Sequence, residues 1–346
     1  MKILHTADVH LREDDAETVE ALKAVLTEAE EKEVNLVTIG GDLLDTPEDA
    51  ETLRPELRKL LSGNPFEILA IPGNHDEDVY RQNLHFGNDL EILTGTPCSS
   101  VEFDGIEIVG VPFTSSMTED LYSRLKEKDG DVLLLHCTLD IGFQSGAVGE
   151  DEGRYFPVRK ATLAELGFEY VLAGHIHSQV REVPLDNGGT FVYPGSPVSH
   201  STKEEGRRHA ILIDTDEGNL STIALDTFYH DSLSELVRPG EEDQVLEEVR
   251  EWVSRRENDD CKLEISIDGF IDWDENEFDE ELDEASGPVE PNNKTRSATP
   301  VLEHPLYQRF TEKLEEKSDD NDEEIVKNRV IEVLSQLLAQ NKVQSS

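Results

Sequence analysis

A chain of 346 residues is long enough for one large domain and a smaller appendage, since domains commonly run about 100–200 residues. Its 31 Lys and Arg stand against 77 Asp and Glu, a formal net charge of -46, with 36% hydrophobic residues still available for a core. With acids spread along the whole chain, this composition argues against a disordered polyanion and reads as a protein of a salt-saturated cytosol.

The charge does not exclude nucleic acid, because at about 1 M salt the Debye length is roughly 3 Å and only charges near a bound phosphate count. Three dispersed cysteines, Cys98, Cys137 and Cys261, oppose a disulfide framework or a thiolate zinc site and suit a reducing cytoplasm. No apolar run approaches the length of about 18 residues that a membrane span needs.

In chain order, "KILHTA", "VNLVTIGG", "FEILAIPG", "IEIVGVP", "DVLLLH" and "FEYVLAGH" are short, apolar and closed by Gly, Pro or polar turns, as buried strands are. Between the first two, Val19, Leu22, Val25, Leu26 and Ala29 recur at helical spacing. The pattern is α/β (α+β), with strands layered under helices. After "FVYPGSPVSH", the runs "RRHAILIDTD" and "LSTIALDT" flank a Gly-Asn turn and read as a closing hairpin. The character changes near residues 228–240. This sets a first domain over 1–228 and a small α+β unit over 229–284, built from the helix "QVLEEVREWVSRR" and the strand "CKLEISIDGFI". Residues 285–346 read as a linker, Pro/Asn/Ser-rich over 285–300, followed by an amphipathic helical tail. Val326, Val330, Val333, Leu334 and Leu337 form one stripe of that tail, to dock on the chain's own body or in a partner's groove.

Five strand runs end in metal-competent residues. These are Asp8 and His10 in "ADVH", Asp42 and Asp45 in "GGDLLD", Asn74, His75 and Asp76 in "GNHD", His136 closing "DVLLLH", and His175 and His177 in "GHIH". Ligand sites of layered αβ folds gather at the carboxyl ends of strands, so residues about 170 positions apart can converge. Each fragment alone is commonplace, since a strand-end Asp is usually a cap or turn former. Mixed nitrogen and oxygen donors without thiolate favour Mn²⁺, Fe²⁺ or Zn²⁺ over Ca²⁺, and the seven ligand candidates among these ten, Asp8, His10, Asp42, Asn74, His136, His175 and His177, suit two ions sharing a carboxylate. That chemistry is phosphoester hydrolysis.

These motifs, over about residues 1–228, resemble the five motifs of the calcineurin-like metallophosphoesterase superfamily. The resemblance implies a β-sandwich flanked by helices and two divalent ions. Asp8, His10, Asp42 and His177 would hold one ion; Asp42, Asn74, His136 and His175 would hold the other. His75 would protonate the leaving oxygen or stabilise the transition state, or else only orient ligands, with Asp76 orienting His75 in turn. "MKILHTADVHL" and "YPGSPVSHSTKEEGRRHAILID" are most similar to the SbcD/Mre-type DNA repair nucleases, as is a small α+β capping domain, here 229–284, after the phosphoesterase domain. This similarity implies Mn²⁺-dependent cleavage at DNA ends, a coiled-coil ATPase partner on the C-terminal helix, and a homodimer. Those nucleases usually carry a histidine where this chain has Asp45, a departure that bears on exonuclease activity more than on metal binding. Arg181, Arg207 and Arg208 are candidates for DNA phosphates or are plain surface arginines. A phosphatase or phosphodiesterase on a small phosphoester is the alternative, and a non-catalytic scaffold the remaining reading.

Overall fold

The computed structural model describes residues 1–81, 84–128, 130–140, 156–178 and 180–315, and near the C-terminus 326, 327, 329–331, 333 and 334. The chain divides into two compact units, Met1–His230 and Asp231–Ser346.

Two six-stranded sheets make the first unit. One runs in the order β14 (Asn219–Ala224), β13 (His209–Asp214), β1 (Lys2–Thr6), β2 (Leu36–Ile39), β3 (Glu67–Ala70), β4 (Leu90–Ile92). The other runs β11 (Arg181–Pro184), β12 (Thr190–Tyr193), β10 (Tyr170–Gly174), β7 (Val132–His136), β6 (Ile106–Gly110), β5 (Ser99–Phe103). Inner strands pair in parallel, β1 with β2 and β2 with β3, β7 with β6 and β10. The hairpin expected around the Gly-Asn turn is β13–β14, antiparallel from His209↔Ala224 to Asp214↔Asn219. A parallel ribbon, β8 (Thr138–Asp140) with β9 (Pro157–Arg159), follows β7.

Both faces of each sheet are covered, which is why the central strands read as unbroken apolar runs. Ile3, Leu69, Leu134, Leu172, Val192 and Ile211 belong to the cluster between the sheets. The first sheet's other face packs Leu4, Val37 and Ile68 on α1 (Ala16–Glu31) and α2 (Pro47–Leu60), and all five expected α1 residues are buried. The second sheet's outer face packs Leu133, Val171 and Phe191 on α4 (Glu119–Lys126) and α5 (Lys160–Leu166). The short α3 (Glu77–Tyr80) follows the Asn74–Asp76 loop. Helix starts follow side-chain oxygens: Asp15 caps α1, Thr46 caps α2 with Pro47 in its first turn, and Thr118 caps α4.

The second unit carries a three-stranded sheet in the order β15 (Tyr229–Val237), β16 (Cys261–Ile271), β17 (Pro291–Ser297). Helices α6 (Glu242–Ser254) and α7 (Glu275–Ser286) bury Val245, Val249, Phe278 and Leu282 against Ile265, Ile267 and Ile271. The expected linker over 285–300 is corrected here: it contains the end of α7 and all of β17. The strand escapes notice because "PNNKTRS" has no apolar alternation. Its seven backbone pairs with β16, Ile265↔Pro291 through Ile271↔Ser297, hold it instead. Helices α8 (Thr299–Leu302) and α9 (Pro305–Glu315) follow, and Ala298, Val301 and Tyr307 form a small cluster with Ile331. The described residues between 326 and 334 are helical. Val330 and Leu334 pack on that cluster, whereas Val326 and Val333 remain exposed. Leu337 of the expected stripe lies outside the described residues. Among the described residues, no helix is long and apolar enough to cross a membrane.

Candidate metal centre

The carboxyl ends of β1, β2, β3, β7 and β10 and the loops leaving them carry every metal-competent residue singled out in the sequence. Four of them take a left-handed backbone that disfavours a side chain: Asp8 (φ 56°), His10 (φ 46°), Asp42 (φ 51°) and His175 (φ 102°). Hydrogen bonds between loops hold this geometry: Asp8 N–H donates to Gly41 O (3.1 Å), His10 N–H to Asp42 O (3.0 Å), and His175 N–H to the Asp8 carboxylate (2.9 Å). Such local strain clusters at functional sites. Two glycines have a steric reason: a Cβ at Gly41 would run into the His136 ring, and one at Gly73 into the Asp42 carboxylate.

Side chains from the five strand ends converge. Asp8, Asp42 and His136 place donor atoms within 4.8 Å of one another, as do Asp8, His10 and His177, and as do His10, Asp45 and His75. His136 Nε2 lies 3.1 Å from Asp42 Oδ2 and 3.0 Å from Asn74 Oδ1. His10 Nε2 lies 3.2 Å from His177 Nε2 and 3.7 Å from Asp42 Oδ2. The His175 ring sits 5.2 Å, centroid to centroid, from that of His136. All seven candidate ligands are therefore brought to one place.

The outward nitrogens of three rings are engaged. Nδ1 of His10 faces Asp45 (3.0 Å), Nδ1 of His136 faces Gly40 O (2.9 Å), and Nδ1 of His177 faces Glu204 (3.2 Å). An Nδ1–H donated to an oxygen leaves the Nε2 lone pair facing inward, the arrangement a metal-binding imidazole requires. With two buried carboxylates, the Nε2 atoms of His10 and His177 facing each other and that of His136 facing Asp42, the donor set fits divalent cations.

The electrostatics agree. Burial alone would raise the Asp42 pKa, but His136 and then His10 outweigh it and hold the group well below the usual carboxylate range. Burial opposes charge on His136, yet Asp42 and Asp8 hold its pKa up at about 9. Thus, without metal, a proton on His136 partly balances the acids. His175 is pushed down to about 3 by burial and by neighbouring His136, so it is a neutral donor.

His75 stands at the rim, its side chain 45% exposed, with Nδ1 3.3 Å from Asp45 Oδ1. Its ring meets His10 edge-on at 4.6 Å. The bond to Asp45 raises its pKa against partial burial. The expectation that Asp76 orients His75 is corrected: Asp45 does so. Asp76 is wholly buried and accepts from Gly73 N–H (2.8 Å), Leu43 N–H (2.8 Å), Leu44 N–H (3.3 Å) and the Tyr80 hydroxyl (2.9 Å). It stitches the β2 loop to the β3 loop. Burial and the Asp42 charge push its pKa up to about 7.

Sequence reasoning missed Glu204 and His200. Beyond His177, the buried Glu204 accepts from Ser196 Oγ (3.2 Å) and His200 N–H (2.9 Å), and His200 Nε2 reaches Asp8 O at 3.1 Å. Both lie several residues past the end of β12 and the Gly195 turn, so no motif directly at a strand end marked them. Arg208 is corrected as well: it is buried, and its guanidinium donates to the carbonyls of Ser196, Ser178, Glu204 and His177. It pins the loop bearing His177 and is not offered to a phosphate.

Residues 1–179 match the family model of calcineurin-like phosphoesterases. The chain is 25% identical over 266 residues to the DNA double-strand break repair protein Mre11 of Methanopyrus kandleri, covering 64% of this chain and 55% of that protein. It is 30% identical over 151 residues to the uncharacterized metallophosphoesterase YkuE of Bacillus subtilis, covering 39% and 50%. A solved dimetal phosphatase from Danio rerio matches at a TM-score of 0.46 and 11% identity, covering 65% of this chain and 96% of that one. The chain spans about half the length of the curated relatives it matches.

Proposed function

Because this chain belongs to the calcineurin-like phosphoesterase family, we propose that it is a two-metal phosphodiester hydrolase acting on DNA ends, with Mn²⁺ as its ion. The observation that carries the hydrolase reading is the convergence of Asp8, His10, Asp42, His136 and His177 under an exposed His75 that rests on Asp45. Divalent ions, when bound, lower the pKa of a water and neutralise charge on the phosphoryl group. The ligands would be Asp8, His10, Asp42 and His177 for one ion and Asp42, Asn74, His136 and His175 for the other. Asp42 stays a carboxylate at any working pH, so it is suited to lie between them.

His75 handles the proton. Asp45 favours its charged form, and its exposed position lets it deliver a proton from the ring to the departing oxygen. Asp45 holds the ring's Nδ1 side, which leaves Nε2 as the donor. Buried Asp76 fixes the relative placement of the two loops that carry Asp42 and His75.

The similarity to the Methanopyrus DNA double-strand break repair protein supports the nuclease reading. The second reading, a phosphatase or phosphodiesterase on a nucleotide or other small phosphoester, draws on Asp45 standing where the nucleases usually carry histidine. For partners we propose a coiled-coil ATPase meeting the exposed Val326 and Val333, and a homodimer. The acidic composition supports a working medium of molar salt in the cytoplasm.

The test is hydrolysis of an end-labelled DNA duplex in molar KCl with Mn²⁺, beside His75→Ala. The expected result is cleavage that falls about 10²–10⁴-fold in the variant while bound Mn²⁺ is retained. Intact DNA alongside hydrolysis of bis(p-nitrophenyl) phosphate would move the assignment to the small-substrate reading. Metal loss in His75→Ala would overturn the proton-handling role.

A further inference from the structure

Arg12 follows candidate ligand His10 by two residues and lies at the rim beside His75. Its Nε donates to Asp45 Oδ2 at 2.9 Å, and one terminal nitrogen donates to Asp45 Oδ1 at 3.3 Å. The same Oδ1 is 3.3 Å from His75 Nδ1 and 3.0 Å from His10 Nδ1. One carboxylate oxygen therefore sets the guanidinium and the proton-handling imidazole next to each other. Among the described residues, the side chain's hydrogen bonds go to Asp45 alone. A guanidinium has five N–H donors; two are used, so three remain, on a side chain that is 36% exposed.

The backbone is also set. Arg12 N–H donates to Thr18 Oγ1 at 3.2 Å, and Leu11 bridges Leu44 of the next loop, so the residue does not sit on a free tail. Asp14 and Asp15 of the same turn add their fields at Arg12. What the residue offers a ligand is thus directed N–H donors more than net charge. A planar fork fixed on one edge and open on the other suits a phosphate oxygen.

Resting on the phosphodiester reading above, we propose that Arg12 grips a second phosphate carried by the departing fragment, next to the scissile ester, so that the site prefers a phosphorylated chain to an isolated phosphodiester. Hydrolysis breaks the bond from phosphorus to the leaving oxygen and forms one to the oxygen of water. His75 supplies the leaving oxygen's proton, and because Arg12 shares the carboxylate on which His75 rests, a phosphate held by Arg12 would belong to the departing fragment. The contact is a direct hydrogen-bonded pair, so it persists at about 1 M salt, where charges more than a few ångströms apart are screened.

The experiment compares kcat/KM of the full chain with Mn²⁺ on the thymidine dinucleotide TpT, on pTpT and on TpTp, with bis(p-nitrophenyl) phosphate as the plain diester. The expected wild-type result is a preference of about tenfold or more for one phosphorylated dinucleotide over TpT, the size of a charge-assisted hydrogen bond. In Arg12→Ala the ratio falls toward one, whatever loss both substrates share through Asp45. Arg12→Lys, which keeps the charge and loses the fork, falls in between. A ratio unchanged in Arg12→Ala would mean that the residue only props Asp45 and would overturn the proposal. So would a wild type that hydrolyses bis(p-nitrophenyl) phosphate without distinguishing the dinucleotides. Inactivity on all four substrates would instead sink the phosphodiester reading and the assignment with it.

Discussion

The two units solve the same problem, a sheet covered by helices, with opposite treatments of charge. In the second unit the interior is Phe278, Leu282, Val249, Ile265 and Ile267, and Glu242 is its one buried acid among the described residues, accepting from the backbone of Gly240 and Asp272. In the first, the strand ends bury Asp8, Asp42, Asp76 and His136 within a few ångströms of one another. Every described non-glycine residue with a left-handed backbone also lies in the first unit, four of them candidate ligands. Buried like charges and strained loops oppose folding unless something compensates, so their concentration in one place marks a site where function outranks stability. The second unit shows what the same chain does where no such demand exists.

This contrast can be broken by mutation. Phe278→Ala is expected to cost about 3–5 kcal/mol of stability through the cavity it leaves, with kcat per folded molecule retained. Urea unfolding and hydrolysis on the same sample would check it, and a proportionate fall in kcat would erase the distinction between the units.

Next in size is the pH dependence of the metal-free protein. His136 has a folded pKa of about 9 against 6.5 unfolded, so its contribution is fully present below pH 6.5 and lost as pH rises through about 9. Glu204, at about 2 against 4.5, contributes above pH 4.5, and that contribution is lost as pH falls through about 2. Melting temperatures in EDTA should therefore decline on the alkaline side from about pH 6.5. The decline should flatten with Mn²⁺, because a cation replaces the proton as the acids' counter-charge. An EDTA curve flat from pH 6.5 to about 9 would contradict the charge balance drawn around His136.

A smaller effect sharpens the picture within the site. Glu204→Ala frees the His177 ring from its oxygen partner, and a loss of about 10–100-fold in affinity is expected for one of two ions, read by Mn²⁺ titration. Equal weakening of both ions would instead indicate a general loosening. Least of all, Tyr80→Phe removes one hydroxyl from Asp76, which keeps its three backbone donors. Stability should drop by about 1 kcal/mol in urea unfolding.

Much of the centre is legible in the chain's own residue order. Glycine before Asp42, Asn74 and His175 and an apolar run before each motif mark strand ends, and strand ends of parallel sheets share one side of the fold. Roles within the centre are not legible in the same way. Asp76 adjoins His75 in sequence, but in the folded chain its carboxylate turns inward to backbone N–H groups, and the partner of His75 comes from Asp45, 30 positions earlier. Strand β17 is hidden because backbone pairing, unlike burial, leaves no apolar period in the sequence.

By itself, then, the sequence determined which segments are buried strands, which side chains sit at their ends, and hence the chemistry those side chains can perform, because periodicity, glycine turns and donor types are local properties. Only the tertiary structure decided which nitrogen of His10, His136 and His177 faces inward, that Glu204 and Arg208 brace the His177 loop, and that Arg12, Asp45 and His75 share one oxygen. Those facts depend on distances between residues far apart in the chain, and such distances are set by how two sheets pack.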